Sequence, residues 1–203
     1  MKTLDASTSA AVPGQLTVSR RKYARYFGRH VLDRWLYRIC SYFPWFARQW
    51  PGVGGRIVHW TQTKEHFEHG CLNPAIIVDS SACMVAVFTS LTAVGNKPTP
   101  VVKIMRERLD LIDRSRVFDG SKFAAASVYS RTQQSWARGV WSDFFPIIVD
   151  CLVDEPESCE NATARIKPLG WQALELGLRK VPNRTRTGLF HVDVPDEMVW
   201  NAF

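Results

Sequence analysis

His66, His69 and Cys71 make up the most compact grouping of metal-ligating residue types in this 203-residue chain. Three apart on a helix, His66 and His69 would share a face, and Cys71 or His59 could complete a tetrahedral site, with Glu65 and Glu68 alongside. The spacing matches none of the usual zinc templates. The commoner fate of such residues is a polar connector facing solvent, with Cys71 packed at the start of the next strand. Two more residues stand out by their surroundings. Asp143 sits among Trp141, Phe144, Phe145 and Pro146, where it either caps a turn or offers a carboxylate to a ligand. Lys103 interrupts the run Val101-Val102-Lys103-Ile104, and the two-residue period turns it away from Val102 and Ile104. It then faces solvent, or makes an anion contact on a concave barrel face. His191 could meet Asp143 or Cys151, although no spacing demands it. The chain has no G-x-S-x-G elbow, P-loop or G-x-G-x-x-G, which excludes those routes to acyl-transfer and nucleotide chemistry.

The remaining candidates are cationic. On a helix starting at an N-cap Ser19, Arg21, Lys22, Arg25 and Arg29 fall opposite Tyr23, Tyr26, Phe27 and Val31, with Arg20 adjoining them. Trp35, Phe43, Trp45, Phe46 and Trp50 follow. Residues 1–60 carry 10 of the 26 Lys and Arg, two of the 19 acids and 11 of the 24 aromatics, a net charge of +8; residues 61–203 come to −1. Such a segment could hold nucleic-acid phosphates or lie on an anionic membrane surface. It could also dock its aromatics on the body and leave the arginines solvated. Arg20, Arg21, Lys22, Arg25, Arg29 and Trp35 are therefore the candidate partner-binding residues.

These side chains must be positioned by a chain that changes period partway. Residues 1–18, rich in Ser, Thr and Ala with a Pro13-Gly14 break, read as a disordered lead-in. A helical pattern runs from Ser19 to Phe43, where Pro44 stops it, and Trp45–Trp50 is a second short apolar stretch. Pro51-Gly52-Val53-Gly54-Gly55 is a hinge, and Arg56–His69 a further helix. Strands are expected at Ala75–Asp79, Met84–Leu91, Pro100–Arg106, Lys122–Ser130, Phe144–Val153 and Leu189–Val194, with Pro146 arguing for an edge position. Ala162–Lys167 reads as a short strand or extended lead. Trp171, Leu174, Leu178 and Val181 recur at helical spacing, and Pro182 closes that helix.

Several phrases of the body resemble a bacterial family of domains of unknown function. They are Asn73-Pro74-Ala75, Val87-Phe88-Thr89-Ser90-Leu91-Thr92, Pro100-Val101-Val102-Lys103-Ile104, Trp141-Ser142-Asp143-Phe144-Phe145-Pro146, and the Trp171, Leu174, Gly177, Leu178, Val181-Pro182 pattern. The resemblance spans about residues 71–194 and leaves the basic segment outside it. It implies a fold boundary and brings no activity or catalytic residues with it.

The expectation is an α+β chain: a lead-in at 1–18, a basic aromatic helical segment at 19–69 and a β-rich domain at 70–203. That domain would be a small antiparallel barrel or curved sheet, OB- or SH3-like, with one C-terminal helix. No apolar run approaches the length of a membrane span. An odd number of cysteines, Cys40, Cys71, Cys83, Cys151 and Cys159, without C-x-x-C spacing suggests a reduced, cytoplasmic setting. The lead-in, poor in acids, could alternatively mimic an organelle transit peptide. The expected function is a non-enzymatic binding or adaptor module for a protein partner, without a cofactor. Its rivals are a nucleic-acid binder using the basic helix and a barrel face, and a metal-dependent hydrolase using His66, His69 and Cys71.

Overall fold

Strands whose alternate residues are apolar on both faces must be covered on both faces, and this requirement shapes the molecule. The structure, a computed structural model, describes residues 3–5, 12–29, 35, 38–39, 42–43, 45, 52–93 and 97–202. In chain order it contains β1 (Thr3–Asp5), α1 (Arg20–Phe27), α2 (Val53–His69), β2 (Cys71–Asp79), β3 (Met84–Ser90), β4 (Pro100–Arg106), β5 (Lys122–Arg131), α3 (Gln133–Ala137), β6 (Asp143–Ile148), α4 (Val149–Leu152), α5 (Pro156–Ala164), α6 (Pro168–Lys180), β7 (Gly188–His191) and α7 (Asp196–Ala202). Six strands form an antiparallel sheet in the order β6-β5-β2-β3-β4-β7, and the short β1 pairs with the far end of β5.

The sheet curls into a half-barrel. Val101 and Lys103 of β4 face the same side as Val85 and Val87 of β3, and Lys103 reaches Asp143 and Phe144 of β6 from nearly the opposite end of the strand order. At one end, the turn after β3 meets the approach to β6 directly, through Trp141 N–H to Leu91 O (2.7 Å) and the Thr92–Val140 bridge. The concave side is filled by Ala75, Ile77, Val87, Val101, Phe123, Tyr129, Trp141, Phe144 and Ile148. The convex side carries two further clusters. Over β3 and β4, α6 seals Phe88, Val102 and Ile104 with Ala173, Leu174 and Leu178. Over β5 and the start of β2, Tyr23 of α1, Phe67 of α2 and Cys159 and Ala162 of α5 cover Leu72, Ala124 and Ala126. Gly177 lets α6 approach closely, because a Cβ there would stand 3.0 Å from Val102 Cγ2 and 3.2 Å from Val192 Cγ2.

The α+β class, the curled sheet and most strand positions follow the sequence reading; Pro146 does lie on an edge strand, paired only with β5. Four details differ. The run from Ser19 is capped as expected by the Ser19 hydroxyl, which accepts from Lys22 N–H, but α1 stops at Phe27 because Gly28 adopts a left-handed φ of 62°. Phe46 and Trp50, in the second apolar stretch, lie outside the described residues. The segment Ala162–Lys167 is the end of helix α5 and its exit. Pro156 at the first helical position starts that helix, and its polar sequence hides the period because only Cys159 and Ala162 are buried. The expected Phe144–Val153 strand ends at Ile148 and turns into α4, and α7 is added after β7, so more than one helix follows β6.

The fourth difference concerns the lead-in. Residues 12–18 are stitched to the body: Gly14 N–H bonds Gly70 O, Gln15 N–H bonds Glu68 O, Leu16 N–H bonds Phe67 O, and Leu72 N–H bonds Val12 O. Arg165 donates to the carbonyls of Gly14 (2.8 Å) and Pro13 (2.5 Å). Leu16 and Val18 are buried, which supplies the apolar gain that a disordered segment lacks. Gly14 has no room for a side chain, since a Cβ would run into the Phe67 carbonyl. Gly14→Ala is therefore expected to detach this segment and lower stability by about 2–4 kcal/mol, the scale of burying Leu16 and Val18. Thermal unfolding with limited proteolysis checks it; an unchanged melting temperature with no new cleavage before Ser19 would contradict the docking.

Candidate functional site

The residues expected to share a metal go to different places. His66 is buried against β5, where its Nε2 lies 2.8 Å from Ala126 O; a carbonyl only accepts, so Nε2 carries the proton. His69, three residues on, is exposed beside Glu68 (3.9 Å). Cys71 opens β2 and belongs to the concave core, whereas α2 packs on the convex side. Among the described residues no three His, Cys, Asp or Glu side chains converge to hold an ion. His191 stands opposite Val101 on β7 and is exposed, whereas Cys151 is buried.

Lys103 and Asp143, by contrast, meet. The Lys103 ammonium lies 2.9 Å from Asp143 Oδ1 and 2.5 Å from Phe144 O, over the Phe144 and Phe145 rings at 5.4 and 4.9 Å. Asp143 Oδ1 also accepts from Phe144 N–H (2.8 Å). Each charge is answered within the chain, and both side chains are largely screened from water, with 18% and 28% exposure. The pair bridges β4 and β6 across the curl. A second bridge lies farther along: Glu107, just after β4, accepts from Ile148 N–H at the end of β6 (3.3 Å) and from Arg108 N–H (2.7 Å). Burial pushes its carboxyl up from the usual range, although these N–H groups and the Tyr26 hydroxyl work against that.

Inside the curl, Tyr129 forms a polar centre. Its hydroxyl is 2.6 Å from Thr89 Oγ1 and accepts from Asn73 Nδ2 (3.4 Å). Burial, reinforced by neighbouring Cys71, drives its ionisation far above the ordinary range, so it acts as a neutral hydrogen-bonding group. Asn73 Oδ1 and Ser127 Oγ on the same face are buried with no partner among the described residues. The thiol of Cys151 is pushed well up by burial, then by Glu107 and Asp150, and that of Cys159 by burial to about 12. Neither has the thiolate character that nucleophilic chemistry requires.

The basic helix divides its residues between two roles. Tyr23 is buried and hydrogen-bonds His59 Nδ1 (2.6 Å), Tyr26 reaches Glu107, and Phe27 packs on His59. Lys22 also turns inward: its ammonium is 2.7 Å from both Asp150 O and Val153 O, at the C-terminal end of α4. Asp150 itself is buried and pairs with Arg116 at 2.5 Å, while burial still raises its carboxyl above the normal value. Arg20, Arg21, Arg25 and Arg29 are exposed, and Trp35 is 58% exposed. Lys22 thus serves the fold, in contrast to the sequence expectation. Glu107, Asp150 and Tyr129 went unnoticed in the sequence; the one available signal was an acid inside the apolar run Ile147-Ile148-Val149-Asp150-Cys151-Leu152.

A family model described as protein of unknown function (DUF3239) matches residues 59–182, and the chain belongs to that family. The match begins within α2 and ends just after α6, so it takes in the curled sheet up to β6 and excludes α1. Neither the curated proteins nor the solved structures contain a match to the chain.

Two measurements probe this interior. Burial lowers the His66 pKa to about 4, only partly opposed by its bond to Ala126. Between that value and about 6.5 the unfolded chain binds a proton that the folded chain does not, so stability is full above pH 6.5 and falls by up to about 3 kcal/mol on acidification toward pH 4. Glu107 and Asp150, whose carboxyls are raised, oppose this trend. The decisive quantity is therefore the difference from His66→Gln, which keeps a donor for Ala126 without the titration: the gap between wild type and variant should change between pH 7 and pH 5. A pH-independent gap would contradict it. Tyr129→Phe leaves Thr89 and Asn73 without their partner and should cost about 1–3 kcal/mol in denaturant unfolding at pH 7.

Proposed function

We propose that this family member is a non-catalytic binding module that engages an acidic protein partner through the arginine side of α1. The observation that carries the reading is the division within α1. Tyr23, Tyr26, Phe27 and Lys22 are committed to the body, while Arg21 and Arg25 face outward on a helix fixed in place and Arg29 is exposed just past its end. Tyr23, Tyr26 and Phe27, docked in this way, are not available to stack on bases or enter a bilayer. Exposed Trp35, Tyr42, Phe43 and Trp45 add side-chain types that anchor protein interfaces. The matched Lys103–Asp143 pair and the poorly ionised thiols give no support to a catalytic reading. A reduced, cytoplasmic setting fits Cys83, Cys151 and Cys159, which form no disulfide among the described residues.

The test is charge reversal at Arg21, Arg25 and Arg29 to Glu, with Lys22 left intact. A protein captured from the native cell by the wild type and then purified should lose most of its affinity for the triple variant, whose melting temperature should stay within about 3 °C of wild type. Lys22→Ala should do the reverse, lowering the melting temperature and sparing binding. A partner that binds wild type and triple variant equally would overturn the reading. So would recovery of nucleic acid whose affinity falls by ~0.9 log unit per log unit of salt for each neutralised phosphate.

A further inference from the structure

The net charge of residues 61–203 hides a local imbalance. Residues 176–192 carry Arg179, Lys180, Arg184 and Arg186 with no acid, whereas residues 150–160 carry five acids with no base. The basic stretch covers the end of α6 and the loop into β7. There it borders an open cleft of about 650 Å³ lined by Met84, Arg106, Asn183, Thr185, Arg186 and Thr187.

We propose that this cleft binds the phosphate group of a small ligand, held between Arg106 and Arg186. Strand register places the two arginines together. Ile104 of β4 lies opposite Gly188 and Arg106 lies opposite Met84, so Arg186 and Thr187, just before Gly188, run alongside the end of β4. The loop is held from within. Asn183 Oδ1 accepts from both the N–H (2.9 Å) and the hydroxyl (2.7 Å) of Thr185, an Asx turn. Arg184 folds back so that its Nε donates to Leu178 O (3.1 Å). That contact, with Arg179 and Lys180 in the last turn, offsets the negative end of the α6 dipole. Arg184 is thereby committed, and Arg186 is left facing the cleft.

Among the described residues, neither Arg106 nor Arg186 pairs with a carboxylate. Two guanidinium groups supply two forked donor sets, and Thr187 adds a hydroxyl. A carboxylate presents its two oxygens in one plane, whereas a phosphate presents oxygens in several directions and can meet two forks from different sides, so the arrangement favours phosphate. The volume is of small-molecule size. This site stands on residues far from α1 in sequence and does not depend on the function proposed above.

Titration of the full chain with pyrophosphate, followed by amide NMR at ionic strength balanced with sodium chloride, tests the assignment. Shifts should concentrate at Arg106 and residues 183–187 and saturate. Arg106→Gln/Arg186→Gln should weaken binding roughly ten-fold or more, the effect of losing charge-assisted bonds, at an unchanged melting temperature because both side chains are exposed. Should the double variant fold poorly, Arg186→Lys keeps the charge without the fork and should give intermediate weakening. A second arm uses neutral phosphatidylcholine vesicles with and without phosphatidic acid. Binding there that is lost in the double variant places the phosphate on a lipid headgroup, and a response to pyrophosphate alone places it on a soluble ligand. Shifts spread over surface lysines, an equal response from the double variant, or no response in either arm would overturn the proposal.

Discussion

A strand paired along both edges and covered on both faces admits only side chains that its neighbours can match, and β5 is such a strand. It pairs with β2 and β1 on one edge and β6 on the other, and every residue from Phe123 to Ser130 is buried. The Ala124-Ala125-Ala126 run is the consequence. Small side chains let α2 and α5 approach one face, and on the other they leave volume for Phe123, Tyr129 and Phe144. Helix α2 is close enough for His66 to reach the backbone of Ala126, which a larger residue in this run would prevent. Helices α2 and α5 are therefore placed by β5, and α1 in turn by α2 and α4.

Curling the sheet brings β4 and β6 close but not into a ladder, and their facing polar groups have to be matched by side chains. Lys103–Asp143 and Glu107–Ile148 do this at two heights, while Tyr129 of β5 bonds Thr89 of β3 and Asn73 of β2 across the interior. Low dielectric makes such contacts strong when complete and costly when broken. They fix how far the half-barrel closes, a quantity that apolar packing alone leaves loosely specified. The same bridges hold α1, because Tyr26 bonds the Glu107 that joins β4 to β6. The seat of the basic helix and the closure of the sheet are thus one connected network.

What the sequence revealed follows from which interactions are local. Strand runs, the Ser19 cap, the Pro146 edge and the Leu174 stripe of α6 depend on neighbours a few residues away, and all were legible. The polar locks were only half legible. Lys103 and Asp143 stood out one at a time, because an ionisable group in an apolar run is locally odd. That they answer each other depends on curl, which brings together residues forty positions apart and leaves no periodic trace. His66, His69 and Cys71 failed as a group for a similar reason. Spacing along a helix says nothing of a strand that starts on the far face of the sheet. Residues 12–18 of the lead-in were misread because two buried residues, Leu16 and Val18, decide their fate within an otherwise polar stretch.

The charge asymmetry of the chain takes a different meaning once its parts are placed. Residues 1–60 look like a cationic arm on a neutral body, yet Lys22 caps the carbonyls of Asp150 and Val153, and Ser19 N–H bonds Leu152 O. The arm is attached where the acidic stretch of the body begins, and the Arg116–Asp150 pair sits at the same junction. Part of the N-terminal charge is therefore complementary to the body and not directed at any partner. Among the described residues, two of the outward cationic clusters are the arginines of α1 and, separately, those around the end of α6. An average over residues 61–203 conceals the second because the acids that cancel it lie at residues 150–160, on other elements. Within a Debye length of about 8 Å a ligand responds to the local cluster and not to the sum, so net charge located one cationic surface and masked the other.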